Sequence, residues 1–300
     1  MNNIIIHPGF AKTATTSLQA ALERNDQILN IGRPYTETTR KLISNLIDKN
    51  FYDKIKILKY LDKIKYNHFT GTIILSDEIL IGEIFKNKII ANRLKDLFQN
   101  AKILFTIRNQ FTHIISYYSA HGRFSKNIPN QIEIGHVEFE KWFEYSINNF
   151  HTSYLGIIQY EPIIRQFSKL FGKESIKIIL YEEIINEYDK FIRELCEFLK
   201  IDKFKFSKDF KQLNLNTSKT SREIKYINFR NKFLKNFSVE KNLFFGKKIK
   251  NYFYKYLKKG KKFSIDFDET KKEILKGFYQ ESNKKLARDF NLNLDKWDYP

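Results

Sequence analysis

The sequence predicts an α/β fold, a three-layer sandwich built around a central parallel sheet. Short apolar runs that suit buried parallel strands recur along the chain, and segments with apolar residues at helical spacing separate them. Strands joined through helices form parallel sheets with right-handed crossovers. With 300 residues, 42% of them hydrophobic, the chain can bury a full core. No Pro/Gly/Ser linker or internal repeat is present, so one domain over 1–300 is predicted.

Four strands and seven helical stretches follow from these patterns. The strands are predicted at 3–7, 71–76, 102–107 and 176–181. The helices are predicted at 15–23, 36–68, 84–99, 111–120, 138–149, 157–171 and 186–199, with a loop at 125–137. Ligands of such sheets lie beyond the carboxyl ends of the strands. The loops after His7, Ser76 and Ile107 are therefore expected to meet at one site.

Composition limits the class of protein. The single cysteine, Cys196, lies in an apolar helical stretch, which predicts a small core residue and excludes an internal disulfide. The first residues carry no signal-peptide pattern, and no window has the 18 apolar residues of a membrane span. No His/Cys cluster has metal-ligand spacing, so no metal is expected. These observations predict a cytoplasmic protein.

Charge is concentrated in one segment. The net charge is +19, and the segment 219–262, which we call the basic segment, supplies +13 of it together with ten aromatic residues. A basic surface fits an anionic glycan, an anionic membrane or a nucleic acid. The alternatives are the codon bias of an AT-rich genome and, for the basic segment, a solvated helical pair whose aromatics pack on the core.

The loop at 8–17, between the first strand and the first helix, has the chemistry of an anion site. The first N–H groups of a helix are unpaired and its dipole is positive there. Lys12 adds a full charge, and Thr15, Thr16 and Ser17 add hydroxyl donors. The pattern is not a Walker A loop, because that loop needs a glycine directly before its lysine, where Ala11 stands.

This loop resembles the 5′-phosphosulfate loop of the sulfotransferase family. Lys12, Thr13, Thr15, Thr16, Ser17 and Leu18 match that pattern, and Ala14 stands where the family usually has glycine. The resemblance implies a P-loop-like sulfotransferase fold and 3′-phosphoadenylyl sulfate (PAPS) as the sulfuryl donor. It assigns the 5′ end of the donor to Lys12, Thr13, Ala14, Thr15, Thr16 and Ser17.

A second phosphate site is predicted after the third strand. Arg108 ends that strand and Ser116 follows on the next helix, a pair that can clamp a phosphate through charge-assisted hydrogen bonds. The arrangement is similar to the family's 3′-phosphate site, with Gln110 in place of a frequent proline. The family also often has an Asn-x-Ser sequence before a basic loop that closes over the donor. That likeness assigns Ser218, Lys219 and Arg222 to the donor site.

A candidate base follows the second strand. A carboxylate at a strand end within reach of Lys12 suits removal of a proton from an acceptor hydroxyl. We predict Glu78 as this base, with Asp77 second. The alternative for Glu78 is a helix-capping acid. Glycan-modifying members of the family use a glutamate, whereas small-molecule members use a histidine. His7, His113 and His121 are further candidates for the base.

The predicted function is transfer of a sulfuryl group from PAPS to a hydroxyl of a carbohydrate or glycan-type acceptor, as in bacterial carbohydrate-type members. Lys12 and Glu78 are the predicted catalytic residues. Peripheral contact with an anionic membrane at the inner face is a further expectation, and no nucleic-acid partner is expected. The alternatives are a P-loop-like kinase and a non-enzymatic nucleic-acid binder. The resemblance extends to Tyr181-Glu182 and to the closing residues 279–300, both taken as evidence for the fold.

Overall fold

A parallel sheet of five strands forms the centre of the fold. The computed structural model describes residues 3–48, 50–64, 66–81, 87–121, 137–212, 219–233 and 247–300. The strands are β1 Asn3–His7, β2 Ile28–Asn30, β3 Thr72–Ser76, β4 Lys102–Ile107 and β5 Ile176–Leu180. Their order across the sheet is β2-β3-β1-β4-β5, and every neighbouring pair is parallel. The predicted fold class is thereby confirmed.

The register aligns the carboxyl ends of the central strands. His7 at the end of β1 lies opposite Ser76 at the end of β3. Apolar side chains in the middle of these strands are fully buried, which the continuous apolar runs predicted. The four predicted strands are present. The fifth, β2, was missed because its three residues are too short to give a pattern.

Helices flank the sheet and connect its strands. Their bounds are α1 Thr15–Arg24, α2 Glu37–Ile47, α3 Lys54–Lys63, α4 Asn87–Leu97, α5 Gln110–His121, α6 Phe139–Asn148, α7 Tyr154–Ile157, α8 Tyr160–Phe171, α9 Tyr181–Asn186, α10 Tyr188–Leu199, α11 Lys203–Gln212, α12 Ser221–Phe233, α13 Lys247–Lys258 and α14 Glu269–Phe290.

The predicted helices are present with shifted bounds. The stretch 36–68 is two helices rather than one, because Asp48 is extended and Asp53 caps a new start by accepting from the Lys56 N–H at 2.9 Å. The start of the predicted helix 84–99 and most of the predicted loop 125–137 lie outside the described residues.

The chain divides into two compact units. One comprises Met1–Gln110, Ile157–Asn216 and Leu275–Pro300, and the other comprises Phe111–Gly156 and Thr217–Ile274. The prediction of a single domain stays a prediction. The first unit contains the sheet and a core cluster that includes Cys196, which is 3% exposed. Burial raises the pKa of the Cys196 thiol to about 11, so the cysteine is the inert core residue that was predicted.

The second unit has an aromatic interior. Tyr118 packs against Trp142 and Phe263, with ring centroids 5.5 and 5.7 Å away. Phe139 and Phe267 lie 5.8 Å apart. Within this unit α12 and α13 are joined at one end by an antiparallel bridge between Thr220 and Lys262. Across the described helices of the chain, none combines the length and the apolar character that a membrane crossing needs.

The loop after β1 curls through three residues with positive φ. Gly9, Lys12 and Ala14 have φ of 44°, 71° and 67°. Ala14 is the N-cap of α1 and adopts the left-handed conformation. A residue with a Cβ is disfavoured in that conformation and glycine is not. This explains physically why glycine suits the position, and it makes Ala14 a strained substitute.

Ala14→Gly is expected to stabilise the protein by about 1 kcal/mol, because it removes the Cβ from a left-handed residue. Urea unfolding monitored by circular dichroism measures the change. Ala21→Gly on the same helix is the matched control. Ala21 is fully buried and lies in the interior of α1, so Ala21→Gly should lower the free energy of unfolding by about 1 kcal/mol or more. Equal effects of the two substitutions would contradict the strain at Ala14.

Candidate active site

The loop at 8–14 is joined by a hydrogen bond to strand β4, which neighbours β1 in the sheet. The buried Thr13 hydroxyl donates to the Phe10 carbonyl at 2.6 Å and lies 2.6 Å from the Thr106 hydroxyl on β4. Phe10 packs edge-on against Tyr160, with the ring centroids 4.7 Å apart. The Thr13 hydroxyl therefore serves to anchor the loop to β4. Lys12 is half-buried.

His7 lies fully buried beneath this loop. Its Nδ1 is 2.7 Å from the Ser76 hydroxyl and its Nε2 is 3.5 Å from the Thr106 hydroxyl. Burial lowers the pKa of His7 to about 4, against the attraction of Glu78 for a charged ring. The imidazole is therefore neutral at neutral pH, and it serves as a hydrogen-bonded support between β3 and β4.

The loops after β1 and β4 meet at Arg108. An Nη1 hydrogen of Arg108 bonds to the Lys12 carbonyl at 3.3 Å, and the guanidinium stacks on the Tyr181 ring, 4.2 Å from its centroid. The Tyr160 hydroxyl donates to the Arg108 carbonyl at 2.6 Å. A half-buried, stacked guanidinium of this kind is well placed for an anion.

The closing residues of the chain hold the loop after β4. The Asn109 side-chain amide donates to the carbonyls of Trp297 and Asp298 at 2.8 and 2.7 Å. Gln110 and Asn283 exchange amide hydrogen bonds of 2.9 and 3.2 Å. The closing segment therefore braces the loop that carries Arg108, a role that its sequence alone did not indicate.

Glu78 lies where the loop after β3 meets α1. The Thr15 hydroxyl donates to its Oε1, and the Gln19 amide approaches its Oε2 at 3.4 Å. Burial alone would raise the pKa of the Glu78 carboxyl, but hydrogen bonds from the Thr15 hydroxyl and from the backbone N–H of Glu78 itself, followed by the charge of Arg33, outweigh it. The pKa of Glu78 therefore lies below its usual value. Glu78 is therefore a carboxylate at neutral pH.

Asp77 has a different environment. Its side chain is fully buried, its Oδ1 lies 3.0 Å from the Arg33 Nε, and its Oδ2 accepts from the Tyr35 hydroxyl. Oδ1 also accepts from the Ile79 N–H at 3.1 Å, which caps the short turn Glu78–Leu80. Asp77 is thus the capping acid at this place. Arg33, Tyr35 and Gln19 were missed, because none belongs to a motif and the first two follow the short strand β2.

The remaining predicted site residues lie on α1 and in the second unit. Thr16 is exposed on the first turn of α1, whereas Ser17 is buried there. Ser116 lies buried on α5 in the second unit, which also holds His113, whose Nε2 is 2.9 Å from the Tyr154 hydroxyl. The pairing of Ser116 with Arg108 stays a prediction. The side chain of His121 lies outside the described residues.

Two of the three residues assigned to the basic loop are described. Lys219 donates to the Ala120 carbonyl at 3.0 Å, and the Arg222 guanidinium lies 4.6 Å from the centre of the Tyr256 ring. Ser218 lies outside the described residues. A role for these three residues at the donor site stays a prediction.

The site offers cationic and N–H donors at the carboxyl ends of β1 and β4 and a carboxylate at the end of β3. Ala14, as N-cap, has no side-chain oxygen to accept from the first turn of α1. The first N–H groups of a helix have no partner within the helix, so they can serve as donors to an anion. Among the described residues there is no cluster of three or more acidic, histidine or cysteine side chains suited to a metal. The arrangement fits a phosphate or sulfate ester beside a proton acceptor.

Comparison with a solved structure agrees with the fold. A sulfotransferase from Alicyclobacillus acidocaldarius superposes with a TM-score of 0.55 at 16% identity, over 99% of this chain and 98% of that chain, and shows the same fold. Mouse sulfotransferase SULT7A1, solved with PAP, gives a TM-score of 0.46 at 14% identity over 97% of this chain and 87% of that chain, too low to carry an argument. No curated protein sequence matches significantly.

The sequence itself carries the assignment. It matches the family described as the sulfotransferase domain over residues 4–287, which include the whole sheet except Asn3 at the start of β1. The match therefore covers the loop at 8–14, Glu78 and Arg108 together. The chain belongs to the sulfotransferase family and is a sulfotransferase.

Proposed function

We propose that this sulfotransferase moves a sulfuryl group from PAPS to a hydroxyl of a carbohydrate or glycan-type acceptor. The observation that carries the proposal is the convergence of three loops, which follow β1, β3 and β4. Lys12 and Arg108 are joined by a hydrogen bond of 3.3 Å, and Thr15 donates to Glu78. Family membership favours this function over a kinase or a non-enzymatic nucleic-acid binder.

The donor is assigned to the loop and to Arg108. Lys12 and the first-turn N–H groups of α1 would hold the 5′-phosphosulfate, and Arg108 would hold the 3′-phosphate with Ser116 as its partner. Thr13 would contribute through the backbone, because its hydroxyl already bonds to Phe10 and Thr106. Thr15 would likewise contribute through its backbone N–H, because its hydroxyl donates to Glu78. Thr16 and Ser17 remain candidates for donor contacts, as do Ser218, Lys219 and Arg222.

The proposed reaction is an in-line displacement at sulfur. The acceptor oxygen forms a bond to sulfur while the bond from sulfur to the bridging phosphate oxygen breaks. The acceptor proton passes to Glu78, whose carboxylate is held by Thr15 and Gln19. Lys12 stabilises the negative charge that develops on the departing oxygen of adenosine 3′,5′-bisphosphate. Asp77 is the weaker candidate, because both of its oxygens are engaged by Arg33 and Tyr35.

We also propose a cytoplasmic location with peripheral contact to an anionic membrane. The support is the exposure of two tyrosines on α13, although Phe253 of the same helix packs against Tyr226 of α12 with ring centroids 5.1 Å apart, as the solvated-pair alternative expects. Tyr252 is 81% and Tyr256 55% exposed, and Lys255 is exposed beside them. Tyrosine beside lysine is typical of helices that lie in the headgroup region of a bilayer.

Donor binding is testable without an acceptor. Calorimetry with adenosine 3′,5′-bisphosphate is expected to give micromolar affinity that is the same with and without Mg²⁺. Lys12→Ala should weaken binding about tenfold or more, because a charge-assisted contact is lost. Lys41→Ala is the control, since Lys41 pairs with Glu37 on the surface at 2.5 Å. Absence of binding by the unmodified protein would overturn the proposal.

Glu78→Gln tests the base. Turnover of ³⁵S-labelled donor with the glycan acceptors that the unmodified enzyme accepts should fall about a hundredfold or more, because a general base is lost. Affinity for adenosine 3′,5′-bisphosphate should stay within about twofold, since the amide keeps the shape of the side chain. Loss of donor affinity with turnover retained would instead make Glu78 structural.

Membrane contact predicts sedimentation with vesicles that contain phosphatidylserine and not with pure phosphatidylcholine, and release by salt. The double variant Tyr252→Ser/Lys255→Gln should bind about tenfold more weakly. Phe204→Ser is the matched control, because Phe204 is 86% exposed but lies outside the basic segment. Equal sedimentation of the double variant and the unmodified protein with these vesicles would contradict membrane contact. Binding to duplex DNA that the double variant loses would point to a nucleic acid instead.

A further inference from the structure

The backbone that follows β2 lies against the carboxyl end of β3. The Arg33 N–H donates to the Ser76 carbonyl at 2.9 Å, which continues the parallel pairing beyond β2. Gly32 makes this approach possible, because a Cβ at that position would lie 2.2 Å from the Ser76 carbonyl oxygen. Glycine therefore fixes the place at which Arg33 leaves the sheet, directly beside the loop that carries Glu78.

The Arg33 guanidinium bridges two carboxylates. Its Nε lies 3.0 Å from Asp77 Oδ1, and its Nη1 lies 3.7 Å from Glu78 Oε2. Tyr35 completes the contact, since its hydroxyl accepts from the Arg33 Nε at 3.2 Å and donates to Asp77. A buried carboxylate requires such partners. Asp77, with a fully buried side chain, anchors Arg33, whose side chain stays 45% exposed next to Glu78.

Several elements face the Glu78 carboxylate. From α1, Thr15 and Gln19 are neutral hydrogen-bond donors. From β1, His7 is neutral because of its burial. Asp77 on the same loop carries the same sign as Glu78, and Arg33 from the loop after β2 carries the opposite sign. Arg33 is thus a positive charge, among the described residues, that can hold Glu78 ionised next to the like charge of Asp77.

We propose that Arg33 is a positioning residue for sulfuryl transfer, which fixes the Glu78 carboxylate and keeps it ionised to receive the acceptor proton. The inference rests on the proposed role of Glu78 as the base. Arg33 acts through Glu78, and Asp77 and Tyr35 hold the guanidinium in place. The loop after β2 thereby becomes a part of the site, although no sequence motif marks it.

The test is a titration of Glu78 that needs no acceptor. The ¹³C shift of the side-chain carboxyl is followed against pH in protein labelled at glutamate, and Glu78→Gln identifies the signal. Removal of a nearby cation makes the carboxylate less favourable, so the Glu78 midpoint in Arg33→Gln should move to higher pH. Arg33→Lys keeps the charge, and its midpoint should lie between the other two.

Arg93→Gln is the matched control, because Arg93 also stacks on a tyrosine, Tyr52, at 4.5 Å and donates to the Leu46 carbonyl at 2.7 Å. Its Glu78 midpoint should equal that of the unmodified protein. Affinity for adenosine 3′,5′-bisphosphate should stay within about twofold in Arg33→Gln, since the effect acts on the base.

An unchanged Glu78 midpoint in Arg33→Gln would overturn the inference, and so would an equal shift in Arg93→Gln. If the Glu78 midpoint shifts in Arg33→Gln but Glu78→Gln keeps full turnover, the proposal for Arg33 and the proposal for Glu78 as the base can be told apart. Arg33 would then influence a carboxylate that is not the base, so the proposed mechanism would fail and the role of Arg33 in transfer with it.

Discussion

The hydrogen bond between Thr13 and Thr106 ties the loop after β1 to the neighbouring strand, and the rest of the site depends on it. It is 2.6 Å long and lies in a buried layer with His7 and Ser76. In this low-dielectric layer a polar group without a partner is costly, and here each hydroxyl and each ring nitrogen has one. The loop is therefore held in one shape on a rigid sheet, although Lys12 and Ala14 adopt disfavoured left-handed conformations.

Above this layer, residues of the site form hydrogen bonds that join different segments of the chain. Thr15 on α1 donates to Glu78 after β3, and Arg108 after β4 donates to the Lys12 carbonyl. Each contact joins residues far apart in the chain. Thr15, proposed to lie at the anionic donor, therefore contacts Glu78, the group proposed to accept the proton. Such a preorganised arrangement needs little rearrangement when charge develops in the transition state.

The functional prediction rested on residues whose placement follows from general rules. Lys12, Glu78 and Arg108 each lie in a segment that follows a strand, and parallel strands present their carboxyl ends at one edge of the sheet. Asp77 and Glu78 could not be distinguished in this way, because neighbours in sequence share the same position in the fold. The structure shows that their environments differ. The Asp77 side chain is fully buried and lies 3.0 Å from Arg33 Nε, whereas Glu78 lies 3.7 Å from Arg33 Nη1.

The sequence by itself determined the parallel α/β class, four of the strands and the loop that we propose binds an anion, because apolar runs, helical spacing and strand-end residues are local properties. Only the tertiary structure decided the rest. The three-residue strand β2, the approach of Gly32 to Ser76 and the bracing of Asn109 by the closing segment depend on partners 40 or more residues away. Such contacts leave no periodic pattern in the chain, since their geometry is fixed by packing rather than by neighbouring residues.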